Sequence, residues 1–236
     1  MQIESSSIRK SPENDAEKRY LTNAVRKWLH FLFYEKYFLY ICTASERLKI
    51  LVMDLNKNFE LFLKKLEEIG VPTEKLVENY GEKVKFASFS VSSEYGLAFE
   101  GSLIYVLLYK LTPYAIKINE LYPEDVRVDK NSLIKVCLLH QIGKAIRIVE
   151  NNNEWEVKNR KLPFKYVDGL PAIRTGLQSL SMACRCGIEF SDVEVEAMTV
   201  NDRELSDNQA RFHAGIMSSI VRQASEMVYT EVSSKK

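Results

Sequence analysis

Leu133–Ala145 reads L-I-K-V-C-L-L-H-Q-I-G-K-A. Its apolar residues Leu133, Ile134, Cys137, Leu138 and Ile142 recur at helical spacing and form a stripe wide enough to face a core, with Ser132 placed to cap the first turn. The stretch predicts a buried central helix that carries His140, Gln141, Gly143 and Lys144 at its end.

Downstream, Ile146–Val149 and Trp155–Val157 flank Asn151, Asn152 and Asn153, a pattern that predicts a small β-hairpin because Asn tolerates the positive φ of a tight turn. Phe164–Val167 is a second extended piece. Ala172–Cys186 predicts a helix ending at Gly187. Ser191 with Glu194 forms a capping box for a helix over Asp192–Val200. A last helix is expected over Asp207–Tyr229, and residues 231–236 read as a tail.

Upstream, Gly101–Ile118 predicts a helix with Leu103, Val106, Leu107, Leu111, Ala115 and Ile118 inward. Lys83–Phe99 lacks a helical period and is expected to be a loop or short extended segment. A short helix should start at Thr73 and end near Gly81, and a longer one should span Ser45–Ile69, stopped by Gly70 and Pro72. Ala16–Cys42 is a further helix, crowded with Trp28, Phe31, Phe33, Tyr34, Tyr37, Phe38 and Tyr40. A helix apolar on every side must be covered on every side, either by the rest of the chain or by a partner. Residues 1–15 read as a polar tail, 16–44 as an aromatic-rich N-terminal helix and 45–230 as one helical domain.

Composition narrows the function classes. Among 236 residues, 33 are Lys or Arg against 32 Asp or Glu, so no general nucleic-acid or membrane surface is implied. Cys42, Cys137, Cys184 and Cys186 are too irregular for a disulfide framework, and Cys184 and Cys186 read as core thiols. With no apolar leader and no transmembrane run, a cytoplasmic setting is expected, or a virion if the chain is viral. His30 and His213 sit among helical residues and read as packed or solvated side chains.

The doublet His140–Gln141 followed by Gly143 and Lys144 resembles the signature L-L-H-D-I-G-K of the HD-domain metal-dependent phosphohydrolases, with Gln141 where that family has Asp. The family's phrase G-G-L-x-E-H-S-L is similar to Gly101–Leu108, which sets Val106 at the first ligand position. A phrase like D-E-L-P-x-G-H-G-E-K-S is similar to Asp168–Ser179 and sets Arg174 at the next; A-I-R-W-H-x-G sets Val200, and the closing Ala-Asp pair sets Ser225 after Ala224. The resemblance implies an all-α, HD-like helical bundle with a small β-hairpin insertion and an extra N-terminal helix. It also implies a degenerate site, since Val106, Gln141, Arg174, Val200 and Ser225 have lost the donors and His140 alone remains. A divalent ion needs several matched donors, so neither metal nor cofactor is expected.

Two classes of function stand. In the first, the chain is a catalytically inactive HD-like domain that serves as a structural or assembly component. Its partners, or copies of itself, would be contacted through the N-terminal extension at Trp28, Phe33, Tyr37 and Phe38. In the second, Lys144 and Arg174, with Arg147 nearby, form a phosphate-binding pocket, and the chain binds or hydrolyses a nucleotide or phosphorylated ligand. The losses favour the first. His140 is then expected to be satisfied by a neighbouring group and to matter for stability.

Overall fold

The computed structural model describes residues 54–200 and 214–233. The stretch expected to form the aromatic helix, with Trp28, Phe33, Tyr37 and Phe38, lies outside these residues, as do the polar tail, His30, Cys42 and His213.

Helix α1 (Leu55–Glu68) is opened by Asp54, whose carboxylate accepts from Lys57 N; the part of the expected helix from Ser45 to Val52 and Met53 lies outside the described residues. It stops as the sequence predicts: Gly70 takes φ +78° and Val71 N returns to Leu66 O at 2.9 Å. Helix α2 (Glu74–Phe86) runs past the expected end at Gly81, which is buried at Cβ contact distance from Val77 and Phe59. The loop that follows begins only at Ala87.

Helix α3 (Ser102–Val106), a π-helical turn (Leu107–Leu111) and helix α4 (Thr112–Glu120) follow end to end as one rod. Pro113 explains the π turn. Proline offers no N–H and its ring clashes with the carbonyl four residues back, so the chain takes in one extra residue and Thr112 N reaches Leu107 O instead. The Thr112 hydroxyl donates to the same carbonyl at 2.7 Å. The regular helix expected over Gly101–Ile118 therefore carries a local widening that its apolar spacing does not reveal. Gly101 takes φ +74°, and a Cβ there would collide with Leu55 Cδ2, which ties the start of the rod to α1.

Helix α5 (Lys130–Leu139) is the predicted central helix, and it packs on the π turn, α1, α4 and the last three helices of the described chain. Leu133, Val136, Cys137, Leu138 and Leu139 are fully buried, which a helix achieves only when surrounded. Its cap is Asp129, accepting from Ser132 N at 2.8 Å, so Ser132 is the capped residue and not the cap. The helix ends at Leu139, six residues before the expected end at Ala145, and turns through His140–Gly143 into the short α6 (Lys144–Arg147).

Strand β1 (Ile148–Glu150) pairs antiparallel with β2 (Phe164–Tyr166), Val149 opposite Lys165. The predicted hairpin partner Trp155–Val157 is instead in helix α7 (Glu154–Asn159). Asn153 makes the difference: its side chain accepts from Trp155 N and Glu156 N, so the Asn cluster opens a helix rather than closing a turn. Trp155 stands 62% exposed on α7.

Helix α8 (Thr175–Arg185) starts three residues later than expected, with Arg174 as its N-cap. Cys186 behind it is buried but Cys184 is exposed, so the pair are not both core thiols. Helix α9 (Asp192–Met198) carries the predicted capping box, Ser191 N donating to Glu194 at 2.8 Å. Lys135 of α5 reaches the same carboxylate at 2.7 Å. Helix α10 (Ile216–Ser233) closes the described chain against α4, α9 and the π turn. The described residues are mainly helical, the β1–β2 ladder being their sheet, and among them no helix is long and apolar enough to cross a membrane.

Candidate functional site

The turn after α5 gathers the polar groups that the sequence singles out. His140 is 1% exposed and its Nδ1 lies 3.2 Å from Cys137 O one turn back. Donation from Nδ1 to that carbonyl leaves a lone pair on Nε2, which is buried without a hydrogen bond. The expectation of a satisfied imidazole thus holds at one nitrogen and fails at the other. Burial, with the positive Lys144 nearby, holds the ring's pKa down at about 4, although the Cys137 carbonyl favours protonation. Gln141 is buried beside it.

Gly143 lets this turn meet α8 at close range. Its N–H donates to Ser179 Oγ at 2.8 Å, and Ser179 Oγ donates to Thr175 O at 2.8 Å. Lys144 turns its ammonium onto Phe89: Nζ lies 2.8 Å from the Phe89 carbonyl oxygen and 3.5 Å from the ring centroid. Burial lowers the amine to about 7, against the carbonyl and ring that favour its charge. Lys144 is thus half-buried, its ammonium held by the Phe89 carbonyl and ring. Tyr229 of α10 extends the stack, 5.8 Å from Phe89.

Most of the other positions set by the HD resemblance belong to the core. Val106 and Val200 are buried apolar side chains, and Ser225 donates to Val221 O at 2.9 Å within its own helix. Arg174 is exposed at the head of α8. Arg147 is half-buried, its carbonyl taken by Val167 N at 2.9 Å. Among the described residues no group of three or more His, Cys, Asp and Glu side chains is placed to hold a metal ion.

A second polar cluster, which no local sequence pattern marks, surrounds Glu231. Lys110 Nζ reaches one carboxylate oxygen at 2.6 Å and Tyr114 OH donates to the other at 2.8 Å. Tyr109 OH donates to Asn58 at 3.0 Å, and its ring centre is 5.6 Å from that of Tyr105. Burial first, then Glu231 and Tyr109, push the Tyr105 phenol up to about 12. Tyr109 lies in the π turn and Tyr105 and Tyr114 to either side of it, the kind of helical irregularity that often accompanies functional surfaces. Beyond Tyr114 and Glu231 opens a cleft of about 590 Å³ between α4 and α10, floored by Ile118 and lined by Leu121, Glu226 and Met227. Its sequence signal is an apolar residue, Leu121, placed just past the end of a helix.

Comparison with protein families, with characterised proteins and with solved structures finds no match to this chain.

Proposed function

We infer that the chain is a non-catalytic, HD-like helical bundle that serves as a structural or assembly component of a larger complex, a virion being one setting that fits. The observation that supports this reading most is how the central turn uses its polar groups. His140, Gly143 and Lys144 bond to Cys137, Ser179 and Phe89 of the chain itself, which is the arrangement of a scaffold. Meanwhile Leu121 and Met227 keep apolar surface in solvent, the chemistry of association. Trp28, Phe33, Tyr37 and Phe38 add a second aromatic set, read from sequence, that suits the same role.

The test compares the parent with a full-length variant carrying Phe33→Ser, Tyr37→Ser and Phe38→Ser, by light scattering and by recovery of partners from the native source. The parent is expected in an assembly that the variant leaves while keeping its melting temperature. An unchanged assembly, or a phosphodiesterase activity that His140→Ala abolishes without loss of stability, would overturn the reading. Elemental analysis of the purified protein should find no stoichiometric Mn, Fe, Ni or Zn.

A further inference from the structure

The cleft between α4 and α10 has a definite chemistry. Leu121 is 84% exposed at the end of α4 and Met227 is 45% exposed across from it on α10, with Tyr114 and Ile118 between them. Such side chains in solvent forgo the stabilisation that burial gives, and adjacent ones define a patch rather than a scatter. The trough is open, unlike an enclosed ligand cavity. From Tyr114 to Leu121 it follows about two helical turns, or roughly 10 Å at 1.5 Å per residue. That length matches the apolar anchors that an amphipathic helix offers at one and two turns' spacing.

Its electrostatics choose the sign of the occupant. Glu226 stands in the wall, Glu231 beside it is already held by Lys110 and Tyr114, and no Lys or Arg is among the described lining residues. Glu120, Glu124 and Asp125 surround the end of α4, where the carbonyl ends of the long rod add a partial negative charge. The nearby cations are largely committed. Lys110 lies on Glu231, and Arg127 points its guanidinium at the carbonyls of Tyr122 and Glu120 at 2.9 and 3.0 Å. Lys117, and Arg222 one turn before Glu226 on α10, offset part of this acidity, leaving Glu226, Glu120, Glu124 and Asp125 as its source.

We propose that this cleft docks a basic amphipathic helix of a partner protein. Its apolar side chains enter between Leu121 and Met227, and its Lys or Arg residues lie over Glu226 and the acidic end of α4. The proposal rests on the assembly reading and names the partner's chemistry. Apolar burial supplies the affinity, while the acidic rim sets orientation and rejects acidic helices.

The probe is a labelled leucine-lysine peptide of amphipathic helical pattern, four turns long, beside a leucine-glutamate peptide of the same pattern, titrated into the full chain and followed by anisotropy. The lysine peptide is expected to bind saturably. Affinity should fall about tenfold or more with Leu121→Asp, about 1.4 kcal/mol by the usual conversion, and several-fold with Glu226→Lys. Both side chains stand in solvent, so the melting temperature should hold. Equal binding of both peptides, or indifference to Leu121→Asp, overturns the proposal. A concentration-dependent dimer that Leu121→Asp dissolves would overturn it too, by making a second copy the occupant. If peptide binding fails while the Phe33, Tyr37 and Phe38 variant still leaves its assembly, only the cleft reading falls.

Discussion

Gly143 and Ser179 lock the central turn to α8: the glycine amide donates to the serine hydroxyl at 2.8 Å, and a Cβ on Gly143 would stand 2.9 Å from the Ser179 amide nitrogen. The same Cβ would lie 2.8 Å from Thr175 O, so the space is closed by backbone, which cannot step aside as a side chain can. Gly143 has φ −58°, which alanine adopts freely. Its requirement is for closeness, not for an unusual conformation.

Gly143→Ala should therefore destabilise the fold by about 1–3 kcal/mol, the cost of overpacking a tight contact. Ser179→Ala should lose a similar amount by leaving the buried Gly143 N–H unbonded. Urea unfolding measures both, and a Gly143→Ala protein as stable as the parent would show that α8 shifts without strain.

His140 gives the fold an acid-sensitive component. Its folded pKa of about 4 lies below the ordinary 6.5, so the unfolded chain binds the proton more readily. The stabilisation is present above pH 6.5 and is lost as pH falls toward 4. Between pH 7 and 5 the loss should be about 2 kcal/mol at 1.36 kcal/mol per pKa unit. Denaturant titrations at the two pH values should show it in the parent. His140→Ala should be less stable at pH 7 and should lack this slope; an equal slope in the variant assigns the acid sensitivity to other groups.

Lys144 acts in the alkaline range with the same sign. Its amine, lowered to about 7 from 10.5 by burial, is more easily protonated in the unfolded chain, so stability should rise with pH between 7 and 10.5 and fall in the reverse direction. Lys144→Met keeps the stem's contact with Phe89 and removes the titration. The variant's stability should be flatter across that range, and a parent curve already flat there would mean that Phe89 fully compensates the charge.

Lys135 and Glu194 join α5 to α9 at 2.7 Å, with the carboxylate almost wholly buried. Burial raises the Glu194 pKa, but hydrogen bonds from Lys135, the Ser191 amide and Ser132 outweigh it and keep the group below its ordinary value. Lys135→Met should cost about 2–3 kcal/mol by stranding that charge. Lys64→Met, which removes the exposed 3.9 Å pair with Glu68, should cost no more than about 0.5 kcal/mol. Equal costs in thermal unfolding would show that Glu194 is solvated.

Local signals were the legible ones. The stop at Gly70, the capping box of Ser191 and Glu194 and the burial of Leu133–Leu139 each depend on residues within a few positions of one another. The misreadings share a different cause. The cluster at Asn151–Asn153 suits a turn or a helix cap equally, and only the pairing of Ile148 with Tyr166 decides between them. Helix α5 stops at Leu139 because the next turn must reach Ser179, a contact 36 positions away that no local pattern encodes. For the same reason the candidate cleft was invisible. Leu121 and Met227 are apolar residues like any others until α4 and α10 pack side by side.

Trp155 has a practical corollary. The chain has two tryptophans, Trp28 and Trp155, and Trp155 already stands largely in water on α7. Its emission should be red and readily quenched by iodide or acrylamide in folded and unfolded protein alike. A blue-shifted, quencher-resistant component in the intact chain would therefore come from Trp28. Intrinsic fluorescence, with Trp155→Phe to remove the constant background, thus gives a label-free report on the aromatic N-terminal stretch as partners are added.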